Sequence, residues 1–305
     1  MTSHRIIIDT DPGIDDAAAI LLAMASPEIE LLGLVTVAGN VPLSMTTDNA
    51  LKLCELGSQP YIGVYPGCDR PLTRHLETAE HIHGSTGMDG AILPEPNKRA
   101  EEVNGVDWLV DTLRRSAPDS VTLVVLGPET NIARALRRAP EIRAAIREVV
   151  VMGGATQDEG GNVTSYAEFN IYVDPEAAAI VFAELPVTLV TLDVARQVIG
   201  TEARLERLRA NGNAPSVALA DMLGFYSARG KGNEPMYDPL TIAWLLQPQL
   251  FQYRMAAIEV DIGAGEHAGE TRIDFDAEAA PHRILMDCDA DGFFALLTER
   301  LSKLP

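Results

Sequence analysis

Basic charge is scarce in this 305-residue sequence: 24 Lys and Arg stand against 44 Asp and Glu, a formal charge of −20. No basic patch offsets that acidity, which excludes nucleic acid as the main partner and leaves the charge as a source of solubility. Cysteine is also sparse. Cys54, Cys68 and Cys288 are far apart and odd in number, with no CxxC pair. They suit neither a disulfide framework nor a structural zinc site, and a reducing, cytoplasmic setting is the simplest reading. No apolar run reaches the ~18 residues of a membrane helix. Ile6-Ile7-Ile8 is too short for a signal-peptide core, so neither a membrane span nor a leader is expected. Linkers, repeats and low-complexity tracts are missing too. What is present is a 47% hydrophobic share, ordinary for a globular protein, in a chain long enough for a large core. One domain over residues 1–305 is expected.

Short β-branched runs alternate with helical patterns through the first two thirds. Strands are expected at Arg5–Asp9, Ile29–Val37, Tyr61–Val64, Val121–Leu126, Glu148–Met152 and Val187–Leu192. Helices are expected at Asp16–Ala25, Thr46–Leu56, Val106–Arg115, Asn131–Arg138 and Glu176–Glu184. Continuous apolar strands such as Val121–Leu126 suit a sheet covered on both faces. The alternation implies an α/β fold with an open, mainly parallel, Rossmann-like sheet flanked by helices. Beyond residue 200 the pattern is mostly helical, with strands near Arg254–Ile262 and Arg283–Met286 and a final helix. Three long polar connections, Pro66–Gly105, Gly153–Asp174 and Gly224–Asp238, read as functional loops. The first two leave from the carboxyl ends of strands, where open α/β sheets bind ligands.

The strongest chemical signal is Asp9-Thr10-Asp11-Pro12-Gly13-Ile14-Asp15-Asp16, four carboxylates in eight residues at a strand end and helix start. The Pro-Gly turn makes the acids converge, and each raises its neighbours' pKa. A hard cation such as Ca²⁺ or Mg²⁺ removes that cost. Helix capping accounts for one or two of these acids, not for four. Elsewhere the residues alone are ambiguous. Asp238-Pro239, like Asp174-Pro175, is an ordinary helix start. Asp287-Cys288-Asp289-Ala290-Asp291-Gly292 imitates an EF-hand opening, but its twelfth position is Thr298 rather than Glu, so it reads as caps for Phe293–Leu301. Asn162, Glu168 and Asn170 suit sugar hydroxyls or an ordinary polar loop; Glu168 and Asn170 share a face if that piece is extended. Asn162-Val163-Thr164 is a sequon with little meaning in a cytoplasmic setting. His81 and His83 suit metal binding, proton transfer or solvation. Phe225, Tyr226 and Tyr237 suit stacking or packing.

Together these segments resemble the inosine–uridine-type nucleoside hydrolase family over nearly the whole chain. Asp9–Asp16 matches its DxDPGxDD signature. Val37–Asn40, Leu126–Asn131, Val151–Gly154, Ala167–Asn170 and Tyr237–Pro239 match further blocks in order. The resemblance implies the nucleoside hydrolase fold, a homodimer or homotetramer, and cleavage of ribonucleosides to ribose and base with one Ca²⁺, as in purine or pyrimidine salvage. By that resemblance Asp11, Asp16, Asp238 and the Leu126 carbonyl hold the ion. Asp15, Asn40, Met152, Asn162, Glu168 and Asn170 line the ribose site. Asp11 is the general base, and Tyr226 lies near the base.

One position departs from the family pattern. Tyr237 replaces a His proposed as the acid for the leaving base, and an ordinary phenol has a pKa near 10. Either Tyr237 itself, His83, or some other group then activates the base while Tyr237 stacks on it. The alternatives are a nucleoside-binding protein that keeps the calcium site with little turnover, and a haloacid-dehalogenase-type phosphatase with Asp9 as nucleophile.

Overall fold

The computed structural model describes residues 4–156, 160–229 and 234–305. Residues 1–3, part of the expected loop Gly153–Asp174, and residues 230–233 of the expected loop Gly224–Asp238 lie outside the described residues.

The strands are β1 (His4–Thr10), β2 (Ile29–Thr36), β3 (Val64–Pro66), β4 (Val121–Val125), β5 (Ile146–Met152), β6 (Val187–Val190), β7 (Phe251–Val260), β8 (Thr271–Asp274) and β9 (His282–Cys288). They form one sheet in the order β3-β2-β1-β4-β5-β6-β9-β7-β8. All neighbours from β3 across to β9 are parallel, and β7 is antiparallel to both β9 and β8. The helices are α1 (Ile14–Met24), α2 (Leu43–Leu56), α3 (Glu80–His83), α4 (Gly105–Arg115), α5 (Thr130–Arg138), α6 (Phe169–Val173), α7 (Pro175–Glu184), α8 (Leu192–Ala195), α9 (Glu202–Arg209), α10 (Ala214–Arg229), α11 (Pro239–Leu246) and α12 (Ala290–Leu301).

The period-two geometry of strands divides the core. Ile6 and Ile8 of β1 enter one apolar cluster with α1, α2, α10, α11 and α12. Ile7 enters the other, with α4, α5 and α7. Both faces are therefore covered, as the unbroken apolar strands required. Helix α1 is buried all round, because α10, α11 and α12 pack over its outer side.

The chain runs β1, β2, β3 toward one edge, then returns to β4 beside β1 and continues the other way. That reversal opens a crevice at the carboxyl ends of β1 and β4. The acid-rich turn follows β1, and Leu126 follows β4. Asn131 of α5 ties the crevice floor together. Its Nδ2 donates to Asp9 Oδ2 at 2.8 Å and to the Thr36 carbonyl at 3.1 Å, and its Oδ1 accepts from the Cys68 N–H at 2.8 Å.

Several elements differ from expectation. The third strand begins at Val64, where the expected one ends; Tyr61 is exposed, and Pro66 closes a short edge strand. Strand β8 was not anticipated, since Thr271-Arg272-Ile273-Asp274 alternates over too few residues to stand out. Gly224–Arg229 belongs to α10 rather than to a loop, so Tyr226 sits on a helix. Glu168 caps α6, accepting from the N–H groups of Asn170 and Ile171, so Glu168–Asn170 is not extended. Asp289 accepts from the Gly292 N–H at 3.0 Å and starts α12 after a strand, as a cap and not as an EF-hand.

Asn131→Ala leaves the Asp9 carboxyl, a carbonyl and an N–H buried without these partners. The expected cost is roughly 3 kcal/mol, read as a lower urea midpoint at unchanged m-value. An unchanged midpoint would show that Asn131 does not hold the floor.

Candidate active site

Each acid of the β1–α1 turn has a distinct environment. Asp16 stands in the first turn of α1, and both its oxygens are engaged. Oδ1 accepts from the Thr10 hydroxyl at 2.5 Å, and Oδ2 accepts from the Gly13 N–H at 2.9 Å and from Asn40 Nδ2 at 3.3 Å. Capping and clustering thus coexist in one side chain. The Asp11 Oδ2 accepts from the Asn40 N–H at 2.7 Å, while its Oδ1 is buried with no protein partner. Asn49 of α2 holds the Pro12 carbonyl at 2.9 Å and so fixes the turn. Added methyl groups at Gly39 or Gly127 would overlap the Asp11 carboxylate, so the bare backbone at those two positions is what leaves room for the acid.

Asp238 precedes α11 but makes no capping bond there. It is buried, and one oxygen from each of Asp15, Asp16 and Asp238 lies within 4.8 Å of the other two. The plain helix-start reading of this residue is therefore insufficient. Asp11 stands outside that trio, yet the Asp16 and Asp15 charges bear on it directly.

Burial dominates the protonation of these groups. It pushes Asp15 and Asp16 up to about 6 and Asp9 up to about 8. Asp11 and Asp238 are pushed well above the carboxylate range by burial and by the neighbouring acids. Asp9, Asp11 and Asp238 then ionise fully at neutral pH only with compensating positive charge. An all-oxygen donor set with an unpartnered buried oxygen fits a hard divalent cation.

A cavity of about 810 Å³ opens above this floor, lined by Asp15, Asn40, Leu126, Met152 and Asp238 at its base. Glu168 and Asn170 form one wall. Glu168 accepts from three N–H groups, of Asn170, Ile171 and Gly154, and burial still lifts it to about 7. Asn170 Nδ2 donates to the Leu126 carbonyl at 2.7 Å and to the Met152 carbonyl at 3.1 Å, leaving its amide oxygen for a ligand. Asn162 lies on the exposed rim, with its Oδ1 accepting from the Phe169 N–H at 3.0 Å.

The other end of the cavity is aromatic. His83 and Tyr226 stack with ring centroids 5.5 Å apart, and Tyr237 lines the same space. His83 Nδ1 accepts from the Ile14 N–H at 3.3 Å, and burial lowers its pKa to about 4. Its neighbour His81 is exposed at the rim, because residues two apart on a helical turn face different ways. Burial and the Asp15 charge push Tyr237 well above the usual phenol range. Asp9 does not line the cavity, being buried behind the floor against Asn131, which removes the geometry a nucleophilic Asp9 would need.

Sequence reasoning assigned no role to Asn131, Asn49 or Arg196. Asn131 lay inside a quoted block, but neither asparagine's reach across the fold has a local sequence signal. Arg196, on the cavity rim, donates to the Gly161 carbonyl at 3.0 Å.

A doubly covered parallel sheet with a buried cation-ready acid cluster beside a polar–aromatic cavity at its switch point defines an α/β protein with a small-molecule site. Residues 6–295 match the profile of the inosine-uridine preferring nucleoside hydrolase family, and the chain belongs to that family of enzymes acting on N-glycosyl compounds. It is 43% identical over 310 residues to an uncharacterized protein of Schizosaccharomyces pombe, covering 99% of this chain and 100% of that one. It is 41% identical over 306 residues to the pyrimidine-specific ribonucleoside hydrolase RihA of Salmonella agona, covering 97% of each. A purine-preferring ribonucleoside hydrolase from Gardnerella vaginalis superposes with a TM-score of 0.91 at 33% identity, covering 98% of each chain. Among the described residues no helix is long and apolar enough to cross a membrane.

The raised acids tie stability to pH. A carboxyl whose folded pKa exceeds its unfolded value stabilises below the unfolded value, and that contribution is lost as pH rises through the folded one. For these groups the loss begins near pH 4 and is complete by about pH 6 for Asp15 and Asp16, about 7 for Glu168 and about 8 for Asp9, so Glu168 and Asp9 carry it above neutrality. His83 acts oppositely, but only below its ordinary value of about 6.5. In chelator, Tm should therefore fall from pH 6.5 to 8. Saturating Ca²⁺ should raise Tm most at pH 8, where the acids are free to bind it. A chelated Tm indifferent to pH would contradict this account of the cluster.

Proposed function

We propose that this protein hydrolyses the N-glycosidic bond of ribonucleosides to ribose and free base in a calcium-dependent reaction. The observation carrying this reading is the buried Asp15, Asp16 and Asp238 group on the floor of a cavity walled by Glu168 and Asn170. Asp11, Asp16, Asp238 and the Leu126 carbonyl would hold the ion, with Asp15 beside them toward the sugar. When bound, the cation supplies positive charge that anchors ribose hydroxyls and acidifies a water.

The remaining work falls to the chain. Asp11, with its unpartnered Oδ1, takes the proton from the attacking water as general base. Asn40, Asn162, Glu168, Asn170 and Met152 hold the ribose. As the C1′–N bond lengthens, positive charge develops on the ring, and the carboxylates and amide oxygens around it stabilise that state more than the neutral substrate. No covalent sugar intermediate is needed. His83, Tyr226 and Tyr237 enclose the base. His83, with Nδ1 engaged by the Ile14 N–H, is a neutral hydrogen-bond donor rather than a strong acid at pH 7. With free base and ribose as products, the reaction belongs to purine or pyrimidine salvage.

One observation favours a second reading. Tyr237 is pushed away from acidity, so a protein that binds nucleosides with little turnover fits the same cavity. Ribose release from a purine and pyrimidine ribonucleoside panel plus p-nitrophenyl riboside, with and without chelator, separates the two. Chelator-sensitive turnover on a natural nucleoside is expected; inactivity on every substrate would favour the binding protein.

With Ca²⁺ kept saturating, Asp11→Asn is expected to lower kcat by about 10²- to 10⁴-fold while ribose affinity, measured by calorimetry, changes little. Near-wild-type turnover would remove Asp11 as the base. Tyr237→His should raise activity on inosine or uridine, whereas a fall on every substrate would give Tyr237 a positive role of its own.

A further inference from the structure

Cleavage of the C1′–N bond leaves its electron pair on the nucleobase, and the hydrolase reading, on which this inference rests, must say what balances that charge. An ordinary phenol such as Tyr237 is a weak proton source at neutral pH. His83 accepts a backbone N–H at Nδ1, so its neutral ring carries its proton on Nε2 and offers a hydrogen bond, not an acid. Arg196 is different. Among the described residues lining the cavity, it is the one side chain with a permanent positive charge. It follows α8, directly after the carboxyl end of β6, and shares the cavity with Tyr226, Tyr237 and His83. One Nη is held by the Gly161 carbonyl at 3.0 Å, which fixes the fork and leaves further N–H donors for a ligand. The guanidinium is also close enough to Tyr237 for its charge to act on the phenol oxygen.

We propose that Arg196 stabilises the departing base as an anion and thereby selects nucleosides whose base bears a carbonyl conjugated to the glycosidic nitrogen over adenosine, whose base has none. In the carbonyl-bearing bases the charge left on the glycosidic nitrogen spreads onto conjugated carbonyl oxygens, which are hydrogen-bond acceptors for a guanidinium. In the balanced step, water oxygen bonds to C1′ and its proton passes to Asp11. The C1′–N pair goes to the base, which takes a proton from solvent after release. Substrate filling the cavity displaces water and strengthens the interaction.

The test compares wild type, Arg196→Gln and Arg196→Lys on p-nitrophenyl riboside, uridine, inosine, cytidine and adenosine at one pH with saturating Ca²⁺. Nitrophenolate spreads its charge through its own ring and departs unaided. Arg196→Gln should therefore lose little on that substrate and roughly 10- to 100-fold in kcat on uridine and inosine. The dependence of rate on leaving-group pKa should steepen accordingly, and Arg196→Lys should recover most of the loss. An equal loss on every substrate would mean that Arg196 only holds the Gly161 segment, and it overturns the proposal, as does no loss at all. Wild-type inactivity on every substrate, p-nitrophenyl riboside included, would overturn the hydrolase reading and this inference with it.

Discussion

Like charge held out of water is the constraint on which the site depends. Asp11, Asp15, Asp16 and Asp238 converge where the sheet, α1 and α11 exclude solvent, and the charges of Asp15 and Asp16 raise both Asp11 and Asp238. Helix-start N–H groups, Asn40 and Thr10 offset part of that cost. They do not offset all of it, as the unpartnered oxygen on Asp11 records. A divalent cation is the one partner that satisfies several carboxylates at once, so affinity for it and stability of the turn are the same free energy seen from two sides.

The sheet topology explains why this convergence is possible. Strands β1 and β4 are adjacent although more than a hundred residues separate them, so the turn after β1 meets the Leu126 carbonyl after β4. Glycines at 39 and 127 allow two loops to approach the Asp11 carboxylate from either side. Asn131 braces the floor from beneath by joining three separate segments. The polar cavity wall is a consequence of a short helix: Glu168 caps α6 and Asn170 lies within its first turn, so one element fixes a carboxylate and an amide together.

The aromatic end of the cavity is built on a different principle. Its aromatic rings offer shape and stacking but little acidity, and related enzymes carry both pyrimidine-specific and purine-preferring names. Among the described residues lining the cavity, Arg196 supplies the permanent positive charge.

The sequence by itself determined the α/β alternation, the two-sided burial of the strands and the metal-ready turn. Those features are local: period-two and helical apolar patterns, a Pro-Gly turn and four acids within eight residues carry them without help. The family blocks extended that reading to the ribose wall, Asp238 and the departure at Tyr237. Spacing alone left Asp238 as a helix start, because Asp before Pro has the same appearance whether or not three other acids wait across a fold. Only the tertiary structure decided that Asp238 enters the cluster, that Asp9 turns away to Asn131, that Tyr226 rides on a helix, and that Arg196 reaches the cavity rim. Each of these depends on contacts between segments distant in sequence, whose energies arise from burial and shared charge that a linear pattern does not display.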